Sequence, residues 1–133
     1  MKTHKDQLNR TLLLKKTPQR IISLVPSQTE LLVDLGLENQ LVGVTKFCVH
    51  PNHIRKATTV VGGTKNIHIE KIKTLKPDLI LCNKEENTKE IVAACEQIAT
   101  THVSDIYTID DTLELIYQYG ELLACKKKAT EII

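Results

Sequence analysis

The sequence predicts an α/β protein: a parallel sheet with helices on both faces, preceded by a short N-terminal β-hairpin. Three observations carry this. Short apolar runs rich in β-branched residues recur at Ile21–Val25, Leu41–Thr45 and Leu79–Cys82, as in strands buried on both faces. Segments with helical apolar spacing separate these runs, and strands alternating with helices imply right-handed crossovers and parallel pairing. Breaker residues, Pro26, Gly36 and Pro77, stand where the elements change.

The elements follow in order. Residues 6–15 read as the hairpin, with Gln7 and Leu8 in one strand, a turn at Asn9 and Arg10, and Thr11 to Leu14 in the other. Residues 20–25 form a strand that Pro26 stops, since proline has no N–H to give a neighbour. Ser27 and Glu30 have the spacing of a capping box for a helix over 27–36. That helix buries Leu31, Leu32 and Leu35 and ends at Gly36, a natural left-handed C-terminal residue. After the strand at Leu41 to Thr45, residues 46–56 are a loop or a short helical turn. Val60 and Val61 lead into a flexible corner at Gly62 and Gly63. Ile69, Ile72 and Leu75 mark a short helix ending before Pro77. Leu79 to Cys82 is the next strand, and Asn87 with Glu90 opens a helix through Ile98. His102 to Ser104 is a short strand. A last helix starts near Asp110 or Asp111, with Leu113, Ile116, Tyr117, Leu122 and Leu123 on its buried face.

Composition narrows the function classes. The chain of 133 residues holds one domain. A formal charge of +2 argues against a nucleic-acid footprint, and 3% aromatic residues argue against a stacking platform for single strands. No apolar run approaches the roughly 18–20 residues that cross a bilayer, so no membrane insertion is expected. The N-terminus lacks the ~7–15 apolar residues of a secretory signal. Cys82 and Cys95 sit in apolar surroundings, as thiols do in a reducing compartment. The cytoplasm is the compartment expected of the chain as given, and the periplasm or cell surface if an export signal has been removed. No catalytic set emerges, so the chain is not expected to be an enzyme.

PQRIISLVPSQTELLVDLG, LVGVTKFCVHP, VGGTKNIHIEKIKTLKPDLIL and IDDTLELI cover most of residues 17–125. In this order they resemble the ligand-binding component of ABC importers for cobalamin, haem and ferric siderophores. The resemblance implies a Rossmann-like lobe of a class III substrate-binding protein over residues 1–125, with 126–133 opening the helix that leads to a second lobe. It implies a metal chelate as ligand, no required cofactor, and an ABC transporter membrane subunit as partner. A homodimer could rebuild the cleft that one lobe leaves half-walled.

Ligand contacts are then expected in the loops beyond the strands' carboxyl ends. Ser27, Gln28 and Thr29 lie at a helix start that donates N–H groups, or only cap it. Phe47, Cys48 and His50 occupy the loop where the resemblance places an aromatic against the ligand, and His50 could reach a cobalt or haem iron. Cys48, His50 and His53 together could instead hold a metal, the alternative reading of the chain as an intracellular metal-binding or redox subunit. Gly63, Thr64, Lys65 and Asn66 allow close backbone approach, or form only a turn. Asn83 lines the same edge, or belongs with Lys84 to Glu86 to a solvated loop. The resemblance makes Glu70 the carboxylate that docks on arginines of the membrane subunit.

Overall fold

The chain opens, in the computed structural model describing residues 2–132, with an antiparallel hairpin of Lys2–Lys5 (β1) and Thr11–Leu14 (β2). The expected first strand at Gln7 and Leu8 is thus the turn instead, for a physical reason. The buried Asp6 carboxylate accepts hydrogen bonds from the N–H groups of Leu8 and Arg10, both at 3.0 Å, and from Arg10 Nε at 2.9 Å. Those bonds curl the backbone before the apolar pattern of β2 begins, and Asn9 takes up the left-handed conformation this requires. Burial alone would lower the Arg10 pKa, but its bonds and charge pairing with Asp6 and Glu96 more than offset this and raise it.

The remaining elements are β3 (Ile21–Ser23), α1 (Pro26–Asp34), β4 (Leu41–Val44), α2 (Ile54–Ala57), β5 (Thr59–Val60), α3 (Ile69–Thr74), β6 (Leu79–Asn83), α4 (Lys89–Glu96), β7 (Thr100–Ser104), α5 (Ile109–Leu122) and α6 (Lys126–Ile132). All pairs in the five-stranded sheet are parallel, in the order β5-β4-β3-β6-β7. The winding reverses between β3 and β6, which makes the carboxyl ends of those strands a switch point.

Side-chain alternation then builds two cores. Ile21, Leu79 and Leu81 face a layer containing Leu32, Ile54, Leu115, Tyr119 and Ala129, from α1, α2, α5 and α6. Ile22, Ile80 and Cys82 face the other way, onto Ile72, Ile91 and Cys95 from α3 and α4. The predicted α/β sandwich, with helices on both faces and a preceding hairpin, is what forms. Cys82 and Cys95 are buried as expected, and the hydrogen bond with Cys95, together with burial, pushes the Cys82 thiol up.

Helix ends differ from the expectation at three places. Val25 is the N-cap of α1, with no side-chain cap, because Pro26 already has the φ of a first helical residue. Ser27 and Glu30 therefore form no capping box. At the other end Gly36 adopts φ 78, and the bonds Gly36 N–H to Val33 O and Leu37 N–H to Leu32 O close the helix as predicted. Thr88, not Asn87, caps α4 by accepting from Ile91 N–H at 3.2 Å. Thr108 and Asp111 cap α5 reciprocally, so the helix starts at Ile109. Tyr117 is 56% exposed, while Tyr119 is fully buried against His102.

A turn through Ala124, at φ 54, brings α6 back onto α5. There Gly120 admits Ala129 so closely that a Cβ at Gly120 would lie 2.9 Å from the alanine methyl. Ile133, the end of the expected interlobe segment, lies outside the described residues. No helix among them is long and apolar enough to cross a membrane.

Candidate functional site

Parallel strands deliver their carboxyl ends to one edge, and the loops there define the candidate site. Below the loops lies a polar floor. Thr29 Oγ1 donates to Ser23 Oγ at 2.9 Å and lies 3.1 Å from Cys48 Sγ, which also contacts Thr45 Oγ1 at 3.3 Å. Gln28 Nε2 donates to Ser104 Oγ, which also accepts from Asn83 Nδ2 at 2.9 Å. Gln28, Thr29 and Cys48 are each at most 1% exposed. These three expected ligand contacts are therefore turned inward, where they support the loops. Ser27 is exposed in the first turn of α1.

The loops after β4 and β5 enclose a groove of about 510 Å³ lined by Lys46, Phe47, Val60, Gly62 to Asn66, His68 and Lys71. Phe47 is 53% exposed, with the Lys46 ammonium 5.2 Å from its ring centroid. The wall opposite is a tight reversal in which Gly63 N–H donates to Asn66 O at 2.7 Å and His68 N–H to Val61 O at 2.8 Å. Gly62 sits at φ 125, and a Cβ there would lie 2.5 Å from Asn66 O. Only glycine permits that backbone.

Two ties hold this wall to the next loop. Asn87, 3% exposed, donates from Nδ2 to Thr64 O at 2.9 Å and to Leu24 O at 3.3 Å, and accepts from Asn83 N–H at 2.8 Å. Lys65 Nζ donates to the Glu85 carbonyl at 2.6 Å. From the loop after β7, the Tyr107 phenol donates to Glu85 Oε1 at 2.8 Å. That bond pushes the Tyr107 pKa up to about 12, so the phenol keeps its proton.

Of the residues expected from the sequence, the structure thus gathers Phe47, Gly63, Thr64, Lys65 and Asn66. Asn83 lies at the same edge but spends its side chain on Ser104 and, as an acceptor, on the N–H groups of Glu85 and Glu86. His50 is exposed and outside the groove lining. His53 Nε2 pairs with Glu38 Oε2 at 2.7 Å. With Cys48 buried and His53 engaged elsewhere, the expected trio does not assemble. Among the described residues no three His, Cys, Asp or Glu side chains are arranged to hold a metal ion. Glu70 stands on the surface of α3, its side chain 89% exposed and 3.6 Å from Lys73.

Lys46, His68, Lys71, Asn87 and Tyr107 were not legible as site residues. Lys46 stands next to Phe47 in the sequence, and His68 and Lys71 are three apart at the start of α3, on one helix face. Those spacings were the only signal.

Comparison with known proteins gives one family and a consistent set of relatives. The sequence model described as periplasmic binding protein matches residues 21–133. An uncharacterized ABC transporter substrate-binding lipoprotein of Bacillus subtilis is 33% identical over 133 residues, covering 96% of this chain and 41% of the relative. A vitamin B12-binding protein of Photorhabdus laumondii is 35% identical over 127 residues, covering 90% of this chain and 45% of the relative. The crystal structure of a Staphylococcus aureus protein complexed with staphyloferrin B superposes with a TM-score of 0.79 at 28% identity, covering 98% of this chain and 45% of that one. The chain spans less than half the length of the curated relatives it matches.

Proposed function

The chain belongs to the periplasmic binding protein family, and from that premise we propose that it forms one wall of a receptor cleft that presents a metal chelate to an ABC importer. The relatives are named as binding proteins, not enzymes, and the role needs no catalytic step. The observation that carries this reading is the groove at the sheet's carboxyl edge. Its walls come from two loops, and the second is tied by Asn87 and Lys65 to a third. A wall held in place before the ligand arrives loses less conformational entropy on binding.

Phe47 supplies an exposed apolar face for a macrocycle or an aromatic chelating group. Thr64, Lys65 and Asn66 supply polar contacts around it. Glu70, well exposed on α3, is the carboxylate that docks on the importer's membrane subunit. Such a receptor works on the outer side of the membrane the importer spans.

Native mass spectrometry of the chain with equimolar cyanocobalamin, haemin and ferric staphyloferrin B tests the proposal. Added mass from any one of them supports it. A bare chain with all three would sink it.

A further inference from the structure

We infer that the groove selects an anionic, oxygen-rich ferric chelate over an electroneutral corrinoid, an inference that rests on the receptor reading above. Lys46, Lys65 and Lys71 all line the groove, and no carboxylate does. Among the described residues none of the three ammonium groups lies within salt-bridge distance of an acid: the lysines paired on this chain are Lys73, Lys84, Lys126 and Lys128. The formal charge of the whole chain is only +2, so this concentration is local and not a share of general basicity.

Uncompensated like charges facing one concavity repel each other, and a bound anion relieves that repulsion. Lys65 is already oriented by the Glu85 carbonyl, which cannot neutralise it. Lys46 lies over the Phe47 ring, so a flat conjugated group placed on the exposed part of that ring would meet an ammonium at its rim. Carboxylate or phenolate oxygens around a ferric centre meet all these demands. A corrinoid without net charge would fill the volume but leave the three ammonium groups unpaired and desolvated. Porphyrin carboxylates and siderophore oxygens share this chemistry, and the experiment separates them.

Equilibrium dialysis of the full chain against a trianionic ferric triscatecholate, haemin and cyanocobalamin, at low and at physiological salt, reads the preference. The expected result is binding of at least one anionic probe, weakening as salt rises because the Debye length shrinks to ~8 Å at physiological strength. Triscatecholate binding alone names the siderophore class, and haemin binding alone names the porphyrin. The Lys46→Gln, Lys65→Gln, Lys71→Gln triple variant should bind the anionic probe about tenfold more weakly, and the triple Lys→Arg variant should retain affinity. The three side chains are exposed, and a circular-dichroism melt checks that the fold is kept. Tighter binding of cyanocobalamin than of either anion would overturn the inference while leaving the receptor reading intact, as would an unchanged affinity in the Gln variant. Failure of all three probes to bind would overturn both.

Discussion

The amide of Asn87 lies 2.9 Å from the carbonyl of Thr64, a residue far from it in sequence and on the opposite side of the sheet's switch point. With its further bonds to Leu24 O and Asn83 N–H, this one side chain joins the loops that follow β3, β5 and β6. It stands beside the helix cap but does different work: Thr88 closes α4, and Asn87 sets the height of the groove wall.

Replacing Asn87 by Ala should therefore cost more than removing the cap. The substitution strands a buried donor and two acceptors, which corresponds to about 2–4 kcal/mol, against about 1 kcal/mol for Thr88→Ala. Urea unfolding measures both. Amide hydrogen exchange should accelerate across residues 62–67 in the Asn87 variant alone.

Glycine requirements at the two positive-φ positions separate by their surroundings. Gly62→Ala puts a methyl 2.5 Å from Asn66 O and should destabilise the chain by roughly 2–3 kcal/mol while weakening chelate binding. Gly36→Ala meets nothing within 4 Å, so its cost should be only the left-handed backbone penalty, about 1 kcal/mol, with binding unchanged. Equal losses in thermal unfolding would contradict the geometry.

Acid should destabilise the fold through His102. Burial lowers its pKa in the folded state, partly offset by the hydrogen bond of its Nε2 with Gln118 at 2.7 Å. The unfolded chain therefore takes up a proton near pH 6.5 that the native chain refuses. Stability is full above about pH 6.5, falls as pH drops below it, and stops falling on this account once the lowered native pKa is passed. His102→Gln should flatten that part of the profile, whatever it does to overall stability.

Histidine ligation offers a sharp spectroscopic check. His50 lies outside the groove lining and His53 is engaged with Glu38. The visible spectrum of haemin bound to the chain should be the same for His50→Ala and the parent, and zinc content after purification should not change with Cys48→Ser. A shifted Soret band in the His50 variant would place the iron outside the groove.

Glu70 should matter to transport and not to folding. Its side chain is almost wholly exposed, and Lys73 at 3.6 Å is a weak surface partner. Glu70→Gln should leave the melting curve unchanged and lower chelate uptake by cells carrying the importer.

The sequence was legible where burial is continuous. The runs at Ile21–Val25 and Leu79–Cys82 announce themselves because both faces of a central parallel strand are covered. β1 was missed because Lys2–Lys5 lies mostly on the surface and carries no apolar pattern. Caps were misread by one residue at Asn87, since either neighbour has a suitable side chain. At Ser27 the misreading came from a proline that starts a helix as readily as it ends a strand. Tyr117 and Tyr119 are two apart, more than half a helical turn, and only the packing against His102 decides which goes inside. Of the charged lining only Lys65 was legible, and for a deeper reason. Lys46 follows β4, and only the crossover through α2 to β5 brings it to the concavity that Lys65 and Lys71 line.

The hairpin tied to β7 has a consequence for how the molecule behaves in a crowd. A border strand normally offers its free backbone groups to any other chain that can extend the sheet. On β7 those groups are taken: Val103 N–H donates to the Asp6 carboxylate, Val103 O accepts from Gln7 N–H, and Thr101 O accepts from the Arg10 guanidinium. At the opposite border β5 is only two residues long. The sheet is closed to growth at one side by occupation and at the other by brevity, so concentrated solutions of the folded chain should resist edge-to-edge polymerisation.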